Sequence, residues 1–373
     1  MHRVLHRRVA RAPLALVCFA AASMAAANAS AQRATIPHPP AVRPAGVGGA
    51  SITRQLHHIV TIGSTVDAQN GDQNPYGLAI APSTTGSITQ GDLVVCNFND
   101  GLNIQGLGTT IEVLAPTPGS QPTRLVADGR LTGCDALALS PSDNPWAAAY
   151  TANDNPVLDA SGNFLATLAG APYAQPWGQA FSGTKGPYGL AAFYETNAND
   201  GSVVRIAVTK GGFKAQVIAT GFSVNHGVPG TALAPSGLSY NPANDTLYIV
   251  SGNENRVVAF RDVSLIPPHG IVVQGKTFGG VAAPAARVVA HGAPLAAPIS
   301  SALLYNGNLV VGNTSNNILV EIDPSKNAVV HTVNLDKGAA GALFGIAAAG
   351  TSIPTTQIFF NDDNANAVDV LQP

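Results

Sequence analysis

The apolar positions of this chain fall in short runs closed by turn residues, as in Leu93-Val94-Val95-Cys96 before Asn97, or Leu247-Tyr248-Ile249-Val250 before Asn253-Glu254-Asn255. Runs of this kind, bounded by Gly, Pro, Asn and Asp, predict strands. Asn and Asp tolerate left-handed backbone and hydrogen-bond their own turn, which suits tight strand reversals.

The runs recur. A turn residue opens a short apolar strand at Asn74-Pro75-Tyr76-Gly77, Cys134-Asp135-Ala136, Gln175-Pro176-Trp177-Gly178, Pro235-Ser236-Gly237, Ser300-Ser301-Ala302 and Leu343-Phe344-Gly345. The marker positions 77, 136, 178, 237, 302 and 345 lie about 40 to 65 residues apart, the period of a four-stranded blade with variable loops. A second strand with an Asn/Asp-rich turn follows each marker, then a third strand such as Arg256-Val257-Val258-Ala259-Phe260. An outermost strand has its own echo at Val126-Ala127-Asp128-Gly129, Ile218-Ala219-Thr220-Gly221 and Val289-Ala290-His291-Gly292. The last repeat stops after its third strand, Ala367 to Leu371, and the matching fourth strand stands at the front of the chain, Ile59 to Ile62. The expectation is an all-β, six-bladed propeller, its ring closed by an N-terminal strand that completes the last blade, so that no open sheet edge is left.

Residues 235–260, PSGLSYNPANDTLYIVSGNENRVVAF, resemble an NHL repeat, and the six repeats together are similar to the NHL and gluconolactonase-like six-bladed propellers. The resemblance covers the chain from about residue 55 onward. It implies that ligand sites lie on the face where inner strands begin, around the central channel.

The N-terminus changes the picture of where the protein works. Arg3, Arg7, Arg8 and Arg11 precede an apolar stretch from Leu14 to Ala27, and Ala29-Ser30-Ala31 fits a small-x-small cleavage site. The apolar stretch is shorter than the roughly 20 residues of a membrane span. Residues 1–31 are therefore expected to be a signal peptide, 32–53 a Pro/Ala/Gly-rich tether, and 54–373 the propeller, secreted or periplasmic. No later stretch is long and apolar enough to span a bilayer as a helix. Removing the leader takes four of the 19 Lys and Arg and none of the 21 Asp and Glu, which leaves 15 against 21, a net charge of −6. That balance argues against nucleic acid as a partner. Cys96 and Cys134 remain, an even pair that an oxidising compartment would bridge; buried free thiols are the alternative, and a thiolate metal site needs more ligands.

The chemistry is harder to read. Calcium-dependent lactonases of the resembling superfamily carry Asn, Asp and Glu just before the marker, and hard cations need about six oxygen ligands. Here those positions are Tyr76, Asp135, Trp177, Ser236, Ser301 and Phe344, of which only Asp135 is charged, so no metal or other cofactor is expected. Tyr76, Trp177 and Phe344 either form an apolar rim on which a ligand stacks or plug the channel. His226 precedes an inner strand, as histidines of lyase-type propellers do, whereas His291 falls at an ordinary repeat position. Nucleophile-elbow, HExxH, P-loop and haem-attachment signatures are absent from the sequence. The reading is a monomeric, non-catalytic binding or interaction module for a small molecule, glycan or protein, with Tyr76, Asp135, Trp177, His226 and Phe344 at the channel mouth. The alternative is a hydrolase or lyase acting through Asp135 and His226; a third reading is a structural envelope protein.

Overall fold

Each apolar run becomes a strand in the computed structural model of the protein, which describes residues 49–373. The expected leader, and the tether as far as residue 48, lie outside the described residues. Among the described residues there is no α-helix, only short 3-10 turns, and so no helix able to cross a membrane.

Six sheets stand around a central channel. The inner strands are Gln73–Ile80, Cys134–Leu139, Pro176–Ser182, Pro235–Asn241, Pro298–Leu303 and Leu343–Ala349, in blades 1 to 6. Each packs against the inner strand of the next blade, and that of blade 6 packs against that of blade 1. In the sixth sheet Ala367–Gln372 also pairs with His58–Ser64, antiparallel, His58 opposite Gln372 and Ser64 opposite Ala367.

Burial follows from this arrangement. Inner, second and third strands have a neighbouring blade on both faces, so Leu93–Asn99 and Arg256–Phe260 are buried at every position, while the outermost Phe164–Ala169 alternates between half-buried and exposed. Alternate residues of one strand serve two different cores: Val94 and Cys96 pack toward blade 2, Leu93 and Val95 toward blade 6. The apolar interior is thus six wedges between blades and a seventh cluster at one mouth. Each large aliphatic or aromatic side chain buried there contributes about 1.5–3 kcal/mol.

The marker glycines have a packing reason. A Cβ on Gly178 would lie 1.9 Å from the Ser236 carbonyl oxygen of the next blade, and one on Gly345 would lie 2.3 Å from that of Tyr76. Turn asparagines latch the blades together as well. Asn153, Asn255, Asn317 and Asn366, all at positive φ, accept through Oδ1 from the backbone N–H of Gln175, Ala297, Ala342 and Asn74, each at or just ahead of the start of the next blade's inner strand. A disulfide between Cys96 and Cys134 ties blade 1 to blade 2.

Three features depart from the sequence expectation. The marker of blade 5 shifts by two residues, because Pro298 pairs with Asn313 and Ser300 with Gly312; Ser300 therefore stands where blades 1, 3, 4 and 6 have glycine and blade 2 has Ala136. Without a glycine to anchor it, the run Ile299-Ser300-Ser301-Ala302 offers no local sign of register. Ile52 and Thr53, assigned to the tether, are buried, and the buried Glu321 carboxylate accepts from the Ile52 N–H (3.0 Å), the Thr53 N–H (2.9 Å) and the Ser51 hydroxyl (2.6 Å). Finally, the long connection between the third and fourth strands of blade 4 forms a hairpin, Ile271–Gln274 and Thr277–Gly279, that adds to the edge of blade 3, with Ala219 beside Ile271 in parallel.

Candidate functional site

Every inner strand carries a bulge at the same place: two of its residues oppose a single residue of the second strand. In blade 1, Pro75 pairs with Asn97 and Leu78 with Val95, leaving Tyr76 and Gly77 opposite Cys96. The same step occurs in the other five blades. A bulge re-aims a side chain, and its first residue here is Tyr76, Asp135, Trp177, Ser236, Ile299 and Phe344 in blades 1 to 6. Ile299 thus replaces Ser301 in the sequence-derived set. All six are buried.

A second tier lies at or just beyond the ends of the second strands, at the residue after the bulge-flanking pair: Phe98, Tyr150, Ala198, Gly252, Thr314 and Asp363. The tier is lopsided, bulky over blades 1 and 2 and small over blades 3 and 4. Phe98 stacks on Tyr76 at 4.1 Å between ring centroids, and Tyr76 stacks on Phe344 at 3.8 Å. Tyr150 meets Phe98 and Trp177 edge-on at 6.2 and 5.9 Å. Phe98 and Tyr150 were missed by sequence reasoning, although they hold equivalent repeat positions; a search for aromatics at the end of the second strand would have found them.

This belt separates two spaces. Below it the channel, about 90 Å³, is lined by the marker glycines with Asp135, Gln179, Ser300 and Ser301. Above it lies a cavity of about 280 Å³, walled by Tyr76, Phe98, Tyr150, Trp177 and Phe344 and bordered by residues 229–233 and 340–341. Tyr76, Asp135, Trp177, Ile299 and Phe344 border both. The loops are set by the belt itself: the Tyr76 hydroxyl donates to Gln105 Oε1 at 3.3 Å and the Tyr150 hydroxyl to the Gly227 carbonyl at 3.4 Å.

Asp135 is the sole acidic residue lining either space, and no Lys, Arg or His among the described residues lines them. Its Oδ1 is buried without a hydrogen-bond partner. Burial, reinforced by the nearby Glu195 carboxylate, pushes its pKa well above the ordinary range. Glu195, wholly buried in blade 3, is pushed up to about 8 by burial against the hydrogen bonds it accepts from Asn155 and Gln179. Among the described residues, no three His, Cys, Asp or Glu side chains come together as a metal-binding group.

The structure brings Tyr76, Asp135, Trp177 and Phe344 together and leaves His226 apart. His226 is exposed at φ 51°, in the 221–234 loop, and lines neither space. Asn225 holds that loop, accepting from the N–H groups of Gly227 (2.9 Å) and Leu233 (2.7 Å). His291 ends the outermost strand of blade 4, Ala286–His291, and is exposed.

No protein-family profile and no curated protein matches the sequence. Solved structures do. Virginiamycin B lyase from Staphylococcus aureus, solved with quinupristin, aligns at TM-score 0.50 and 15% identity over 85% of this chain and 100% of its own. A chain of a nidogen/laminin complex aligns at TM-score 0.53 and 14% identity over 79% and 98%. A Bacteroides thetaiotaomicron protein of unknown function aligns at 0.55 and 10% over 84% and 75%. The likeness is of fold. At these identities the shared six-bladed propeller accommodates a lyase and a protein–protein complex alike, so the function has to be argued from the site.

Proposed function

We propose that this chain is an exported, monomeric propeller that binds a small ligand in the aromatic cavity at one mouth of its channel without transforming it. One observation carries the reading: the side chains that the bulges turn toward the channel and those of the tier above it converge on a single apolar space with one carboxyl group at its floor. Concave, mostly apolar cavities with few polar groups are what small-molecule sites look like. The disulfide is in keeping with an oxidising compartment. The neighbour solved with quinupristin suggests a hydrolase or lyase instead, but the acid–base pair which that would draw on here, Asp135 and His226, is not assembled at the cavity.

A thermal-shift screen of the purified protein against small molecules, glycans and peptides tests the reading. A ligand that raises the melting temperature should lose at least about tenfold in affinity with Trp177→Ala, while the fold is retained. Unchanged affinity in Trp177→Ala, or a ligand consumed during incubation, would sink it.

A further inference from the structure

The cavity and the channel beneath it are unbalanced in hydrogen-bonding terms. Asp135 Oδ1, Gln179 Oε1 and Ser300 Oγ border the channel, and each belongs to a side chain less than a tenth exposed and has no partner. Behind them Glu195 Oε1 and Asn155 Oδ1 are also buried without partners. The amide oxygens of Gln179 and Asn155 can only accept, and the hydroxyl and carboxyl oxygens can accept as well. Buried polar atoms are normally satisfied, so a concentration of unmet acceptors points to a group that donates.

The walls restrict the donor further. Tyr76 is stacked between Phe98 and Phe344, and with Tyr150 and Trp177 these rings form an aromatic wall whose negative charge density attracts a cation when water is excluded. An anion would meet Asp135 with no basic residue to offset it. A neutral donor would satisfy one acceptor but leave the carboxyl group in an environment that opposes its ionisation.

Resting on the reading of the cavity as a ligand site, we infer that its ligand is a protonated primary or secondary amine with an apolar body, the ammonium hydrogen-bonded to Asp135 and the body packed against the aromatic belt. A quaternary ammonium is a poorer fit, since it has no N–H for the unmet oxygens. Asp135 is placed as the counter-ion by its bulge, not by any neighbouring cation. The titratable groups facing it are Glu195, Tyr76 and Tyr150, none of them basic. A bound ammonium therefore draws the Asp135 proton off, and binding should release a proton to solvent.

Three probes of one shape carry the test: 2-phenylethylammonium, neutral 2-phenylethanol and anionic 3-phenylpropanoate, titrated by calorimetry into the full-length mature protein at neutral pH. The ammonium should bind at least about tenfold more tightly than the alcohol, and the carboxylate should not bind. Repeating the ammonium titration in buffers of different ionisation enthalpy should show close to one proton released per ligand bound, and none with the alcohol. Asp135→Asn should bring the ammonium down to the alcohol's affinity and abolish proton release. Proton release is read on the unmodified protein, so the inference stays testable even if that variant fails to fold. Alcohol or carboxylate binding as tightly as the ammonium overturns the inference, and if Trp177→Ala weakens them all, the cavity reading survives that failure. No binding by any probe also overturns it, and the broader screen then judges the cavity.

Discussion

At the scale of single residues, two kinds of position govern this protein: those where a neighbouring backbone comes too close for a side chain, and those where a buried carboxylate has collected donors. Gly178 exemplifies the first. Its missing Cβ is occupied by the Ser236 carbonyl of blade 4, so Gly178→Ala has to push two inner strands apart and should cost on the order of 3 kcal/mol in urea unfolding. Glu321 exemplifies the second. Burial raises its pKa, but hydrogen bonds from Asn308, Ser51, Thr53 and the Ile52 N–H outweigh that and hold it below its ordinary 4.5. The stabilisation is therefore complete above the unfolded-state value and is lost as pH falls through the folded one. Glu321→Ala, which strands those buried donors, should lower unfolding free energy by about 3 kcal/mol at neutral pH and by less in acid. An equal loss at every pH would contradict this account.

At the scale of elements, the strands were legible because their signals are local. Arg256–Phe260 is a third strand as the sequence predicts, and Ile59 to Ile62 lies within His58–Ser64. The Asn-rich turns were read as reversals, and the positive φ of Asn153, Asn255 and Asn317 agrees for three of them. What that reading lacked is the latch, since the partner of the Asn366 amide is Asn74, 292 residues away. Turn and latch can be separated experimentally. Asn255→Gly tolerates the backbone conformation but loses the hydrogen bond to the Ala297 N–H, and should cost about 1 kcal/mol; Asn255→Ala loses both and should cost about 2. Equal costs for the two variants would mean that only one of the roles is real. The hairpin 271–279 left no such sign, because its pairing with blade 3 is set by where blade 4 stands, not by its own sequence.

At the scale of the whole molecule, buried carboxyl groups and the crosslink set how stability responds to pH and reduction. Burial raises Glu112 to about 9, helped by Asp67, and Glu195 to about 8. A carboxyl group with a raised folded pKa contributes fully below its unfolded value near 4.5 and loses that contribution as pH rises through the folded value, the reverse of Glu321. The melting temperature should therefore peak in mild acid and decline toward pH ~9, and Glu195→Gln should flatten the decline. A stability that climbs steadily through neutral pH would rule this out. The Cys96–Cys134 bridge closes a 38-residue separation between blades 1 and 2, so replacing both with serine should lower stability by roughly 3–4 kcal/mol with the fold intact, measured by denaturant unfolding against wild type.

Alternating apolar runs, turn residues and marker glycines, all read from neighbours along the chain, were enough to specify strands, six blades and five of the six residues at the channel mouth. They were not enough where glycine gave way to serine, at Ile299, nor for Phe98 and Tyr150, whose role depends on what stands across the channel. The lone carboxyl of Asp135 is plain in the sequence; its surroundings of aromatic rings and unpartnered oxygens are not. Local patterns set secondary structure because backbone sterics and turn hydrogen bonds act over a few residues. A cavity is the space left between side chains from five different blades, and its polarity exists only once the ring has brought them together.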